Sequence, residues 1–194
     1  MSWFILAALS GFCFASLHLL ERYVLKDPKS DPLAFTFFFS FISTIMLIPV
    51  VLYHPQFSMS VFSWVLLIAV SSLLVTHNIL MSHAMKHASA SIVGTISKLK
   101  IVWVFLIGVA LTLEVWSPYK GLGILLTLFA SIVLVRISNT KTTLKGMIYA
   151  FLATFFIAVA IVSYTPLLQE FNIITFTFCI FAIPAIFIFI GMKN

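Results

Sequence analysis

Two lysines lie inside a long apolar run, in the segment Ser97-Lys98-Leu99-Lys100. If the run is helical, they lie roughly 10–14 Å in from its start at Ser91, at about 1.5 Å per residue. A charge at the centre of a membrane-spanning helix costs about 2.5–3.5 kcal/mol, so such residues tend to face a cavity or a partner. We therefore expect at least one lysine to meet an anionic or carbonyl-bearing substrate. Residues two apart point to different sides of a helix, so the two lysines are not expected to share a cavity.

The alternative for these lysines is a helix that begins late, near Lys100, with both side chains extending to the lipid headgroups. That helix would keep too few apolar residues before Glu114 for a full span. The cavity interpretation extends to polar or aromatic residues deep in this run and the one before it. The predicted substrate-binding residues are Lys98, Lys100, Thr95, His77, Asn78 and Trp103.

Histidines cluster at the end of the third apolar run. His83 and His87 are four residues apart and would share one face of a helix. A zinc protease motif requires a glutamate directly after the first histidine, and Ala84 stands there instead. The cysteines, Cys13 and Cys179, both lie within apolar runs and are expected to be buried apolar side chains. The sequence therefore predicts no metal, no cofactor and no enzymatic chemistry, although an intramembrane metal enzyme stays an alternative.

Acidic residues are scarce, and all of them lie at the ends of apolar runs. They are Glu21, Asp27, Asp31, Glu114 and Glu170. We therefore expect no buried carboxylate to pair with the two lysines. Glu114 is expected to cap the next helix or pair with Lys120, and Gly121 and Gly123 begin that helix after a tight turn. Gly11, with Ala7 and Ala15, forms a small-residue stripe on which another helix is expected to pack closely.

The elements that must position these residues are membrane helices. The sequence is 62% hydrophobic and 8% charged, far from the roughly 25% charged residues of a soluble domain. Apolar runs near the ~20 residues of a membrane span predict an α-helical, multi-pass protein of the cell membrane, embedded in the lipid bilayer. The net charge of +6 is explained by basic loops, without nucleic acid. The predicted spans are Trp3–Leu20, Pro32–Leu52, Val61–Met81, Ser91–Leu113, Gly121–Val135, Gly146–Leu168 and Ile173–Gly191.

The second and last of these runs repeat a Phe-Thr-Phe sequence. Its threonines, Thr36 and Thr177, lie 141 positions apart (177 − 36). Internal repeats of membrane helices are typical of secondary transporters. We therefore predict a five-helix repeat over residues 1–140 and the incomplete start of a second over residues 141–194. On this interpretation the sequence is truncated, or the protein completes itself as a homodimer or with a separate C-terminal half.

A pattern within residues 88–135 resembles a known family. It consists of Ala88-Ser89-Ala90-Ser91, then Ile96-Ser97-Lys98-Leu99, an apolar helix, Glu114, a short turn and Gly121-x-Gly123. This segment is similar to the EamA-type family of the drug/metabolite transporter superfamily. That family commonly ends the helix in Leu-Gly-Glu, whereas this chain has Leu111-Thr112-Leu113-Glu114, and Lys100-Ile101 replaces a frequent proline.

The resemblance implies a secondary transporter of small metabolites or drugs, with inverted five-helix halves around a central cavity that opens alternately to either side. Members keep both termini in the cytoplasm, whereas the Lys and Arg count of the loops favours an external N-terminus. Alternative hypotheses are a non-transporting fragment of a broken transporter gene and a seven-helix receptor. A retinal protein requires a lysine midway along helix seven, and Ile173–Gly191 has none.

Overall fold

The structure is a computed structural model that describes residues 3–27, 29–53, 60–111, 113, 115–137 and 143–192. Of the described residues, 89% are helical and none lies in a strand. The helices described are α1 (Trp3–Leu25), α2 (Pro32–Tyr53), α3 (Val61–His87), α4 (Ala90–Ser97), α5 (Lys100–Ala110), α6 (Pro118–Ile137), α7 (Leu144–Val162), α8 (Tyr164–Glu170) and α9 (Ile173–Met192).

The prediction of an all-α membrane protein with about seven spans is confirmed. Six stretches of the described residues are long and apolar enough to cross a membrane, and Pro118–Leu134 is a shorter apolar helix. Apolar side chains in lipid leave the backbone to satisfy its own hydrogen bonds, which favours helices. Side-chain caps fix three helix starts: the hydroxyls of Ser60, Ser89 and Thr143 accept backbone N–H groups of α3, α4 and α7.

Two predicted spans are each interrupted once. The fourth run divides into α4 and α5, because Lys98 N bonds Thr95 O at 3.2 Å and Leu99 N bonds Ile96 O at 2.9 Å, the tighter spacing of a 3₁₀ turn. The helical structure starts at Ala90, well before Lys100, so the alternative of a late helix start is wrong. The sixth run divides into α7 and α8 at Ser163.

Helix α3 lies at the centre of the packing. Its C-terminal half forms one apolar cluster with Leu25 of α1, with α4 and with the first half of α7. Its N-terminal half forms a second cluster with α8, α9 and the end of α7. Helix α2 packs along α9, where the Phe37 and Phe189 rings stack with centroids 5.9 Å apart. The central helix therefore contacts both the early and the late part of the chain.

Helix α1 is mostly exposed, apart from its C-terminal end. Its buried residues are Glu21 and Leu25. A Cβ atom added to Gly11 would meet nothing within 4 Å. The small-residue stripe of α1 therefore lines open space. Within the described part of the chain, no helix packs closely against it, whereas the sequence predicts a close helix contact there.

Candidate functional site

A small cavity of about 120 Å³ lies between α1, α2, α3, α7 and the α4–α5 junction. Its walls combine aromatic and aliphatic side chains with hydroxyl, imidazole, amide, carboxylate and ammonium groups. The lining residues are Phe14, Leu17, His18, Glu21, Phe35, Thr36, Phe39, His77, Asn78, Met81, Ser82, Ser97, Lys100, Thr154 and Ile157. We call this space the central cavity. Polar groups converging in an apolar site are typical of small-molecule binding.

Helix α3 contributes one continuous face to the central cavity. His77, Asn78, Met81 and Ser82 line it, and their spacing of one, four and five residues places them on one side of a helix. The His77 Nδ1 atom lies 2.9 Å from the carbonyl oxygen of Ala153 on α7. Because that oxygen accepts a hydrogen bond, Nδ1 carries the proton and Nε2 is an acceptor when the ring is neutral.

Lys100, the first residue of α5, lines the same cavity. Its Nζ atom lies 5.4 Å from the centroid of the Phe14 ring on α1, within the range of a cation–π contact. In the part of the chain that the structure describes, no ion pair joins Lys100 to a carboxylate. The ammonium group therefore lies next to open space and an aromatic face, where it can bind an anionic or carbonyl oxygen.

Lys98 lines a different space, an open groove of about 610 Å³ between α1, α4 and α6. Thr95 and Gly11 line this groove with it. The spacing argument made from the sequence agrees with this separation of the two lysines. Phe14, His18 and Ser97 line both spaces, so these three side chains form the partition between groove and central cavity.

Trp103 packs between helices, outside both spaces. Its ring lies edge-on to Phe151, at 5.7 Å between centroids, and to Phe155, at 5.4 Å. The structure thus brings His77, Asn78 and Lys100 together in the central cavity. It places Lys98 and Thr95 in the neighbouring groove, and Trp103 at the contact between α5 and α7.

The second pair of histidines lies beside an aromatic ring. His83 and His87 have ring centroids 5.6 Å and 6.3 Å from that of Tyr149 on α7. Among the described residues, no three His, Cys, Asp or Glu side chains form a group that could hold a metal ion.

Glu21 is the main residue of the cavity that the sequence interpretation missed. Its side chain is 9% exposed, although the residue lies past the end of the predicted first span. The reason is helix length: α1 continues to Leu25 and α3 to His87, whereas the hydropathy runs stop at Leu20 and Met81. Each helix therefore has an extra turn that carries polar residues, and the polar residues of the two turns face one another.

The Glu21 carboxylate joins three helices through hydroxyl and imidazole groups. Ser82 Oγ on α3 lies 3.1 Å from Glu21 Oε1 and 3.1 Å from Thr36 Oγ1 on α2. Thr36 Oγ1 donates to the carbonyl oxygen of Pro32 at 2.8 Å. His18 Nδ1 lies 3.3 Å from Glu21 Oε2. Beside it on α1, the Arg22 guanidinium donates to the carbonyl of Met85. A titratable group is thus embedded in a buried polar network at the cavity wall.

Gly121 and Gly123, which the sequence predicts as structural residues, do not line the central cavity. A Cβ atom on Gly121 would approach Trp116 Cζ2 to 3.3 Å, whereas one on Gly123 would meet nothing within 4 Å. Gly121 N donates to Ser117 O at 3.0 Å in the first turn of α6. Glu114 lies outside the described residues, as do residues 138–142 of the predicted seam between the two repeats.

Residues 1–136 of the chain match a family model, that of the EamA-like transporter family. No curated protein and no solved structure matches the chain.

Proposed function

The chain belongs to the EamA-like transporter family, and we propose that it carries a small metabolite across the cell membrane, by alternating access through the central cavity. The proposed substrate bears a carboxylate or a carbonyl group that binds the Lys100 ammonium. His77 and Asn78 orient the same molecule from α3. Lys98, Thr95 and the groove that they line form an approach to the cavity. Residues 1–140 form one five-helix repeat, and residues 141–194 form the start of a second.

The observation that carries this proposal is the placement of Lys100. An ammonium group among membrane helices costs several kcal/mol unless water or a partner solvates it. Here it faces a cavity with mixed polar lining and, within the described residues, forms no ion pair. A substrate oxygen would supply the missing partner. The small volume favours a metabolite with few non-hydrogen atoms over a bulky drug.

Binding in such a cavity supports transport without covalent chemistry. The cavity lies between helices from the early part of the chain (α1 to α5) and α7 from the later part. Movement of these helices relative to one another would open one side of the cavity and close the other, as in secondary transporters with a central site.

Counterflow in proteoliposomes tests the proposal. Purified protein is reconstituted into liposomes loaded with one unlabelled compound, and uptake of its radiolabelled form is followed for alanine, threonine, pyruvate and succinate. We expect one of these to accumulate above the level of empty liposomes. Lys100→Ala is expected to raise its KM about 10-fold or more, because a charge-assisted contact contributes about 1.5–3 kcal/mol.

The control for Lys100→Ala is Lys26→Ala, a lysine in the exposed connection after α1, which should transport like the wild type. Lys98→Ala tests the groove and should reduce the transport rate. Unchanged transport in both Lys98→Ala and Lys100→Ala would remove the lysines from the substrate path. A folded wild-type protein that accumulates none of the four compounds would favour the non-transporting alternative.

A further inference from the structure

The His77 ring has one nitrogen bonded to the protein and one that is free. Its Nδ1 atom lies 2.9 Å from the carbonyl oxygen of Ala153. A carbonyl oxygen only accepts hydrogen bonds, so Nδ1 carries the hydrogen of the neutral ring. At pH 7.5 an imidazole group is mostly neutral, since its ordinary pKa is about 6.5. The Nε2 atom then has a lone pair and no hydrogen, which makes it an acceptor.

The free nitrogen of His77 is accessible from the central cavity. Nε2 has no hydrogen-bond partner among the described residues, and it is not one of their enclosed atoms without a partner. The space next to it is the central cavity, because His77 lines that cavity and not the groove. Ala153, which accepts from Nδ1, is fully buried on α7. The contact with α7 therefore fixes the direction in which the lone pair of Nε2 points.

The polar groups that the cavity offers to a substrate differ in kind. The Lys100 ammonium only donates hydrogen bonds, His77 Nε2 only accepts them, and the Asn78 amide does both. A substrate with a carboxylate alone would bind Lys100 and leave the His77 acceptor without a hydrogen. A site that holds a hydrogen-bonding group for a substrate OH or NH discriminates against analogues that lack it, because the group in the site is then left unpaired.

We infer that His77 is a specificity-determining residue, which selects a carboxylic acid that carries a hydrogen-bond donor on the carbon next to the carboxylate. This inference rests on the proposed function, in which the Lys100 ammonium binds the carboxylate. The donor is a hydroxyl or an ammonium group, and both offer a hydrogen to Nε2. The cavity volume of about 120 Å³ favours a donor close to the carboxylate over one at the far end of a long molecule.

The bond to Ala153 also joins α3 to α7, so a purely structural role for His77 has to be separated from selection. Two substitutions do so, because each keeps one half of the ring's chemistry. In His77→Asn, the amide nitrogen lies near the position of Nδ1 and can donate to Ala153, but no acceptor remains at the position of Nε2. In His77→Gln, the amide lies near the position of Nε2, so its oxygen can accept from the substrate while the bond to Ala153 is lost.

Calorimetric titration of the purified protein in detergent, at pH 7.5, tests the inference with three matched acids. Propionate, lactate and alanine differ in one group on the carbon next to the carboxylate, which is a hydrogen, a hydroxyl or an ammonium. We expect lactate or alanine to bind about 10-fold more tightly than propionate, because one of them supplies the hydrogen that Nε2 accepts. Tighter binding of lactate identifies the donor as a hydroxyl, and tighter binding of alanine identifies it as an ammonium.

The variants assign this advantage to one atom. In His77→Asn the advantage over propionate should fall to about 2-fold or less, while propionate itself binds as it does to the wild type. In His77→Gln most of the advantage should remain. Lys100→Ala should weaken the binding of all three acids. The matched control is His83→Asn, because this second histidine of α3 lies beside Tyr149 and does not line the central cavity, so all three affinities should stay those of the wild type.

Three results would overturn the inference: equal binding of the three acids by the wild type, binding of none of them, or an advantage that His77→Asn leaves in place. Counterflow distinguishes these results from a failure of the proposed function. If the wild type binds the three acids equally and still carries a substrate in counterflow, the proposed function stands and His77 does not select the substrate. If it binds lactate or alanine selectively and carries no compound in counterflow, the selective site stands and the proposed transport is contradicted.

Discussion

Gly146→Ala should loosen the contact between α3 and α7 that forms one wall of the cavity. A Cβ atom on Gly146 would lie 2.8 Å from Ala88 Cβ and 3.0 Å from both Ala88 N and the His87 carbonyl carbon. These separations are about 1 Å shorter than ordinary contacts between carbon atoms. The opposing atoms are mostly backbone, and that backbone is held: Ala88 N donates to Ala84 O at 2.8 Å, and Thr143 Oγ1 donates to His87 O at 3.0 Å.

Because the backbone cannot yield locally, the helices must separate. Overpacking of this kind costs about 1–3 kcal/mol. At about 2–4 °C per kcal/mol for a chain of this size, the melting temperature should fall by roughly 2–12 °C. The same shift would disturb the hydrogen bond from His77 to Ala153, further along the two helices. We therefore expect a raised KM in counterflow as well as lower stability.

Thermal unfolding in detergent, followed by far-UV circular dichroism, measures the effect. Gly123→Ala is the control, because its added Cβ meets nothing within 4 Å and both substitutions gain the same helix propensity. The difference between the two melting temperatures therefore isolates the contact with Ala88. If Gly146→Ala melts at or above the temperature of Gly123→Ala, the close approach of α3 and α7 is not as described.

Two further substitutions separate packing from binding. Thr143→Ala removes the cap of α7 and the hydrogen bond to His87 O, and should lower the unfolding free energy by about 1 kcal/mol. Thr143→Ser should restore most of this free energy. Equal stability of the two variants in thermal unfolding would contradict the capping role. Trp103→Ala removes the edge-on contacts with Phe151 and Phe155 and should lower stability by up to about 3–5 kcal/mol, while the KM in counterflow stays that of the wild type. A KM raised as much as in Lys100→Ala would instead place Trp103 at the substrate.

The membrane helices are predictable from sequence because lipid imposes one simple requirement. A run of about 20 apolar residues has to satisfy its backbone internally, so hydropathy places most spans to within a few residues. The separation of Lys98 from Lys100 agrees with what helical geometry predicts for residues two apart. The junction at Ser97–Lys100 is not predictable in this way, because the sequence there contains neither glycine nor proline to mark an interruption.

The location of Glu21 shows where hydropathy fails. A polar residue ends an apolar run in a hydropathy window. The helix itself continues where a neighbouring helix offers a hydrogen-bond partner to the polar side chain. The partner of Glu21 is Ser82, 61 positions later, and it likewise lies just past the end of an apolar run. To recognise that Glu21 and Ser82 form one buried site, it is necessary to know which residues of α1 lie opposite which residues of α3. A single sequence does not contain that information.

The distribution of contacts indicates which helix is held by the fewest contacts. Helices α3 and α7 are fixed together by the close approach at Gly146 and by the His77 bond to α7. Helix α1 is buried at Glu21 and Leu25 alone among its described residues, and Arg22 bonds the α3 carbonyl of Met85 beside them. The buried contacts of α1 are therefore concentrated near its C-terminal end, whereas the α3–α7 pair has its own contacts. If transport proceeds by alternating access, we expect α1 to move and the α3–α7 pair to be the frame against which it moves.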